Sequence, residues 1–332
     1  MLGFLFWGCS SSQKISTNNT TSSFSNPEYS LTYLIHGDAN YLYHENGKDH
    51  KADEEALNDA LDIARNANSG EVFIFHLKPE RKILGLFPKK DRHYYHFVGG
   101  KLQEEGRYSP SDGGFSKEGL IYNELAAPTT RRNFLFYFGH EIPTFKDQHY
   151  HSSQPKQIFN TKVFSDHISK FSSSFDLTIL ATCNNGNPKM LHALDGKTDF
   201  VIASPQNLHL SYLSLEKLSL LEEDPTIDTK LLADSIAENS FSTLSSKLQT
   251  MVTVGVYDLS SINDYSGKLA TEYDNYLENV SAKPRFTDNI DCASISELEI
   301  FLRSSGVKLY FSPPAFGRKA SISSHSGWGC KE

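Results

Sequence analysis

Two short apolar runs, Asn133–Glu141 (NFLFYFGHE) and Phe175–Gly186 (FDLTILATCNNG), constrain this chain more than any other feature. Each ends abruptly in a reactive side chain: Gly139-His140 closes the first, and Cys183 followed by Asn184, Asn185 and Gly186 closes the second. Apolar runs of this length, bounded by turn residues and rich in Phe, Ile and Leu, read as buried strands of a parallel sheet. Ligands of open α/β sheets bind beyond the carboxyl ends of the strands. A histidine and a cysteine at two such ends therefore face one site. An imidazole within hydrogen-bond reach of a thiol supplies the base that makes the thiol a nucleophile.

The surrounding pattern is that of an alternating α/β chain. Ser30–Ile35 reads as a first strand, ending at His36-Gly37-Asp38-Ala39-Asn40. Asp53 reads as the N-cap of a helix carrying Ala56, Leu57, Ala60, Leu61 and Ala64 at helical spacing. Glu71–Leu77 is the second strand, which completes a right-handed βαβ unit. Lys82–Leu102 alternates around Lys89-Lys90-Asp91-Arg92 and reads as a hairpin projecting from the domain edge. A helix over Ser116–Ala127 precedes the histidine strand. Another over Phe159–Phe171 precedes the cysteine strand, and a polar, His-rich loop, Lys146–Gln157, lies before it. Asn187-Pro188 opens the next helix, with Asn as cap and Pro in the first turn. Asp199–Ala203 and Thr250–Asp258 are the fifth and sixth strands, with Leu213–Leu248 largely helical between them and Ile262–Leu277 helical after them. The tail carries a helix near Ser296–Arg303 and a strand near Val307–Phe311.

The 332 residues suffice for one large α/β domain with appendages, and a net charge of -8 argues against a nucleic-acid partner. Met1–Gly8 is apolar, Cys9 follows, and the next twenty or so residues are almost all Ser, Thr and Asn. This order resembles a bacterial lipoprotein signal in which Cys9 becomes the lipidated N-terminus. A plain secretory leader is the alternative, and both take the chain out of the cytoplasm. The expected organisation is a signal over 1–9, a tether over 10–29, a catalytic domain over 30–280 and a packed extension over 281–332. Of the four cysteines, Cys292 and Cys330 are left to pair as a disulfide in an oxidising compartment.

Histidine at the end of one buried strand and cysteine at the end of the next, in that order, is the arrangement of the caspase-like clan: caspases, legumains, gingipains, separases and clostripain. Phe136-Tyr137-Phe138-Gly139-His140 resembles the clan's histidine strand, and Ala181-Thr182-Cys183-Asn184-Asn185-Gly186 its cysteine turn. Ser242–Ile262, a hydrophobic strand followed by Tyr-Asp-Leu-Ser, is similar to the segment after the core in the clostripain-like branch, family C11. The resemblance spans about residues 31–277. It implies a caspase-like three-layer sandwich with a mostly parallel six-stranded sheet and helices on both faces. It further implies a cysteine endopeptidase with His140 as general base, Cys183 as nucleophile, and the backbone N–H groups of Glu141 and Cys183 as oxyanion donors. His36, Asp38, Ala181 and Ser204 are the expected substrate-binding positions. The implied partner is a peptide or protein substrate, with no cofactor, no metal, no nucleic acid, membrane contact through the lipid alone, and a monomeric state.

Two positions depart from the family pattern. Glu141 replaces the usual glycine after the histidine, and Ala181 stands where relatives that cleave after Arg or Lys carry aspartate. These departures motivate the alternative of a catalytically silent, caspase-fold envelope lipoprotein that works by binding. The pairs His93/His96 and His149/His151 suggest a metal site, yet His140-Glu141 is followed by Thr144 rather than by the histidine a zinc-protease helix needs. Exposed loop histidines are the plainer reading.

Overall fold

The computed structural model describes residues 26–37, 42–45, 47–78, 81–83, 87–89, 92–109, 114–128, 131–144, 158–281, 290–291, 306–321 and 325–330. The expected signal, Cys9, Asp38, the expected loop over Lys146–Gln157 with His149 and His151, the expected helix near Ser296–Arg303 and Cys292 all lie outside them, as does the Cys330 side chain. In chain order the elements begin with β1 (Tyr29–His36), the hairpin β2 (Leu42–Glu45) and β3 (Lys48–Lys51), α1 (Ala52–Asn66) and β4 (Gly70–Leu77). A short hairpin, β5 (Arg81–Ile83) and β6 (Phe87–Lys89), precedes β7 (Arg92–Val98), β8 (Lys101–Tyr108) and α2 (Ser116–Leu125). Then come β9 (Arg132–Phe138), α3 (Thr161–Ile168), β10 (Phe175–Ala181), α4 (Pro188–Leu194) and β11 (Thr198–Ala203). The rest comprises α5 (Leu220–Glu223), α6 (Thr229–Lys247), β12 (Val252–Asp258), α7 (Leu259–Ser281), β13 (Ile290–Asp291), β14 (Val307–Ser312) and β15 (Gly329–Cys330).

Nine of these strands form one sheet in the order β14-β12-β11-β10-β9-β1-β4-β7-β8. The five central strands are parallel, and antiparallel strands extend both edges. The strand order reverses at β1, whose neighbours are β4 on one side and β9 on the other. The central strands are buried almost end to end because both faces are covered, which is why their sequences read as continuous apolar runs. Alternate residues enter two separate cores. Leu34, Phe73, Phe75, Leu135 and Tyr137 face one layer; Tyr33, Ile35, Ile74, Phe134 and Phe136 face the other. Helices α3, α4 and α7 pack on the first face, and α1 and α6 on the second.

The expected six-stranded sheet is present and carries three further strands. The expected hairpin segment divides: β5 and β6 pair with each other apart from the main sheet, and the remainder joins it. The long arms β7 and β8 turn at Gly99-Gly100, both at positive φ, and β7 pairs with β4 to continue the sheet. Buried Arg92 donates to Glu118 (2.7 Å), and the Tyr108 hydroxyl donates to the same carboxylate (2.7 Å), which ties this hairpin to α2. The expected strand near Val307 is present and joins the sheet: β14 pairs with β12 from Val252 to Tyr257. Asp53 is not a helix cap. Lys51 holds that position, while the buried Asp53 carboxylate meets His76 Nε2 at 2.8 Å. An acidic residue at the second position of the helix resembles a cap in sequence but here closes a buried pair with a strand.

Candidate active site

The histidine and cysteine strands are neighbours. β10 pairs with β9 in parallel, with Ala181 opposite Phe138, and the last rung is the Gly139 N–H donating to Ala181 O at 3.3 Å. His140 and Cys183 each follow two residues after that last pair. Both are half-buried at the carboxyl rim of the sheet, one and two strands away from the reversal at β1, where open α/β sheets collect ligands.

Beyond the last rung the two backbones leave the sheet, and side chains take over the pairing. Asn185, fully buried, uses its carboxamide as a piece of strand. Its Oδ1 accepts from the Ile142 N–H (3.0 Å), and its Nδ2 donates to Ile142 O (2.9 Å). The Thr182 hydroxyl donates to the same Oδ1 (2.6 Å). Asn184 lies at φ 56°, the left-handed region that Asn tolerates better than most side chains, and it turns the chain sharply after Cys183. Its Nδ2 donates to the Glu141 carboxylate at 2.6 Å. Asn187 caps α4 by accepting from the Met190 N–H (2.9 Å) and donates back to Asn184 O (2.8 Å).

Segment 204–211 completes the rim. The Gly186 N–H donates to Ser204 O (2.8 Å), and the Asn184 N–H to Gln206 O (2.9 Å). Leu208 then brackets the sulfur. Its N–H donates to Cys183 Sγ (3.2 Å), and its carbonyl accepts from the thiol (3.5 Å). Leu210 and Ser211 both lie at φ 51°, an uncommon conformation for such residues, and the Ser211 hydroxyl donates to Gly139 O (2.8 Å). The segment thus runs from the cysteine turn to the end of the histidine strand. On the α1 side a cavity of about 570 Å³ is lined by Phe138, Leu210 and Ser211 together with Glu55, Asp59, Asp62 and Glu216. Partial burial raises the Asp59 carboxyl above its ordinary range, and Asp62, Glu55 and Glu216 add to the shift.

The other expected site positions sit behind this rim. His36 is buried, with Nδ1 3.0 Å from the Tyr137 hydroxyl and its ring edge-on to Phe159. Ala181 is buried and lends its carbonyl to Gly139. The buried Ser204 hydroxyl donates to Gln206 O (2.9 Å) and lies 3.1 Å from Thr253. Asn185, Asn187, Leu208 and Ser211 were not among the expected positions. Three asparagines in the five residues after Cys183 were the available signal. His96 meets buried Glu71 at 2.9 Å rather than joining His93 in a metal site, and among the described residues no group of three His, Cys, Asp or Glu side chains is placed to hold a metal.

The end of the described chain also reaches this turn. Trp328 is fully buried against Tyr257, whose hydroxyl donates to Gly327 O (2.7 Å), and the Gly329 N–H donates to Gly186 O (3.1 Å). The pairing of β13 with β15 sets Cys330 opposite Ile290 along the backbone. No described helix is long and apolar enough to cross a membrane.

No family model and no curated protein matches this sequence. Its fold is nonetheless that of solved C11 cysteine proteases. A secreted C11 cysteine protease from Bacteroides thetaiotaomicron, iotapain, superposes with a TM-score of 0.57 at 13% identity, over 92% of this chain and 93% of that one. An inactive zymogen C11 protease from Parabacteroides distasonis gives 0.59 at 12% identity, over 92% of each chain. A secreted C11 protease from B. thetaiotaomicron in complex with an irreversible peptide inhibitor gives 0.52 at 13% identity, over 76% of this chain and 70% of that one.

Proposed function

We propose that the protein is a clostripain-like cysteine endopeptidase working through His140 and Cys183. The observation that carries this reading is the parallel pairing of β9 with β10, which ends with Phe138 opposite Ala181, two residues before His140 and Cys183. The caspase-like fold shared with C11 proteases supports it. His140 takes the thiol proton of Cys183 as the hydrogen bond to Leu208 O is given up. The thiolate attacks the substrate carbonyl, and the imidazolium then protonates the leaving amine. Water, deprotonated by His140, releases the acyl group from the sulfur. The N–H groups of Cys183 and Glu141 receive the oxyanion, an interaction on the order of 3 kcal/mol per donor at such sites. Glu141 is compatible with that role because it keeps the backbone N–H and its carboxylate accepts from Asn184 Nδ2, which offsets part of its charge.

Peptides and proteins outside the cytoplasm are the proposed substrates, with Cys9 lipidated as the envelope anchor, Cys292 and Cys330 disulfide-bonded, and a monomeric enzyme. His36, Ala181 and Ser204 bear on substrate through the backbone they support, and Asp38, two positions after His36 in the sequence, is proposed with them. A catalytically silent binding protein of the same fold is the second reading, favoured by Glu141 and Ala181. Hydrolysis of a peptide library by the wild type, abolished in both Cys183→Ala and His140→Ala, supports the peptidase. Turnover that survives Cys183→Ala, or none under any activating condition, rejects it.

A further inference from the structure

Asn185 occupies an unusual place relative to the two proposed catalytic side chains. It lies two residues after Cys183, and the residue it grips, Ile142, lies two residues after His140. On the strand side the pair is bracketed by the rung from Gly139 N–H to Ala181 O, at 3.3 Å. On the far side nothing in the regular ladder continues, and the Asn185 carboxamide supplies the missing rung by satisfying both backbone groups of Ile142. We propose that Asn185 is a positioning residue for the His140–Cys183 pair, setting the separation of the histidine loop from the cysteine turn. The inference rests on the peptidase reading above.

The chemistry of the contact favours rigidity. Asn185, Thr182 and Ile142 are all fully buried, so no water competes for these bonds. The Ile142 N–H can only donate, which fixes the Asn185 oxygen toward it and the amide nitrogen toward Ile142 O. The Thr182 hydroxyl donates to that oxygen from its own side (2.6 Å), so the carboxamide cannot flip without losing three bonds. A neighbouring link, from Asn184 to Glu141, runs parallel to this one. Positions 184 and 185 of the cysteine turn are therefore stitched to positions 141 and 142 of the histidine loop. A loop held on both flanks keeps the imidazole within the few tenths of an ångström that proton transfer from a thiol requires.

The test separates positioning from plain structural support. Alkylation of Cys183 by iodoacetamide near neutral pH, quantified on its own tryptic peptide so that the other cysteines do not interfere, reports thiol activation without a substrate. In the wild type His140→Ala should slow it about tenfold or more, the gain expected when an imidazole converts a largely protonated thiol to thiolate. In an Asn185→Ala background the same His140→Ala change should alter the rate by less than about twofold. Thr182→Val, which removes only the hydroxyl that orients the carboxamide, should lie between and stands in if Asn185→Ala does not fold. A full tenfold dependence on His140 retained in Asn185→Ala, or in Thr182→Val where that is the variant measured, overturns the positioning role while leaving the peptidase reading intact. No dependence on His140 in the wild type overturns both.

Discussion

Gly186 offers a sharp perturbation of the cysteine turn. It lies three residues beyond Cys183, and it is confined by the buried Tyr257 side chain and by the backbone of residues 204–205. A Cβ built there would stand 2.5 Å from the Tyr257 hydroxyl, 2.7 Å from Pro205 N and 2.9 Å from the Ser204 carbonyl carbon. Its φ is not in the left-handed region, so the penalty of Gly186→Ala is one of space alone. Overpacking of a tight interior costs about 1–3 kcal/mol. If the turn retreats, it also weakens the bond from Gly186 N–H to Ser204 O (2.8 Å) or the one from Gly329 N–H to Gly186 O (3.1 Å). Each such bond contributes about 1 kcal/mol. The sum, about 2–4 kcal/mol, corresponds to a fall of roughly 5–10 °C in Tm for a large domain. Differential scanning fluorimetry reads the fall, and peptide-resolved alkylation of Cys183 on the same samples reads the displacement of the turn. Tyr257→Phe should restore only part of the loss, because Pro205 N still blocks the Cβ. A Gly186→Ala protein with wild-type Tm and wild-type alkylation would refute the tight packing of this turn against residues 204–205.

Other consequences follow from buried polar groups. Glu118→Ala should destabilise by about 3–5 kcal/mol in urea unfolding, since it leaves the buried Arg92 guanidinium without its carboxylate; a loss under 1 kcal/mol contradicts the buried pair. Burial holds the phenols of Tyr29, Tyr33 and Tyr257 well above their ordinary range, with Glu222 reinforcing the shift at Tyr29. Because the fold favours their neutral form, the associated stability is complete below about pH 10, where unfolded tyrosine begins to ionise, and is lost as pH rises further. Phenolate absorbance for these three should accordingly appear together with alkaline unfolding, and ionisation in a still-folded protein argues otherwise. Asn184→Gly keeps the left-handed turn but removes the Asn184 hydrogen bond to the Glu141 carboxylate; kcat should drop about tenfold for a charge less well offset near an oxyanion, and adding Glu141→Gln should recover most of it. If the double variant stays as slow as Asn184→Gly, the charge is not the cause.

The parallel core was legible because strands covered on both faces have little choice but to be apolar throughout, and the His-then-Cys order follows from two adjacent strands ending at one rim. The edge hairpin was harder. Lys89-Lys90-Asp91-Arg92 carries the charge of a turn, yet the chain turns between the long arms at Gly99-Gly100, where positive φ is needed. Asp53 is a residue type that caps helices and stands just before a helical apolar pattern, and only the fold brings His76 within 2.8 Å of it. The links from Asn185 to Ile142 and from Gly329 to Gly186 leave no periodic trace, because each joins one side chain or one amide to backbone far along the chain. Residue type alone marked the asparagines as turn-formers, and a turn is what Asn184 makes.

Rapid quenching during turnover of a good peptide, with intact-mass and peptide mapping, tests the catalytic pair most directly. An acyl adduct carried by Cys183 in the wild type, and missing when His140 is alanine, is the predicted result. Hydrolysis that proceeds with no adduct on that sulfur, or with an adduct on another side chain, contradicts the account.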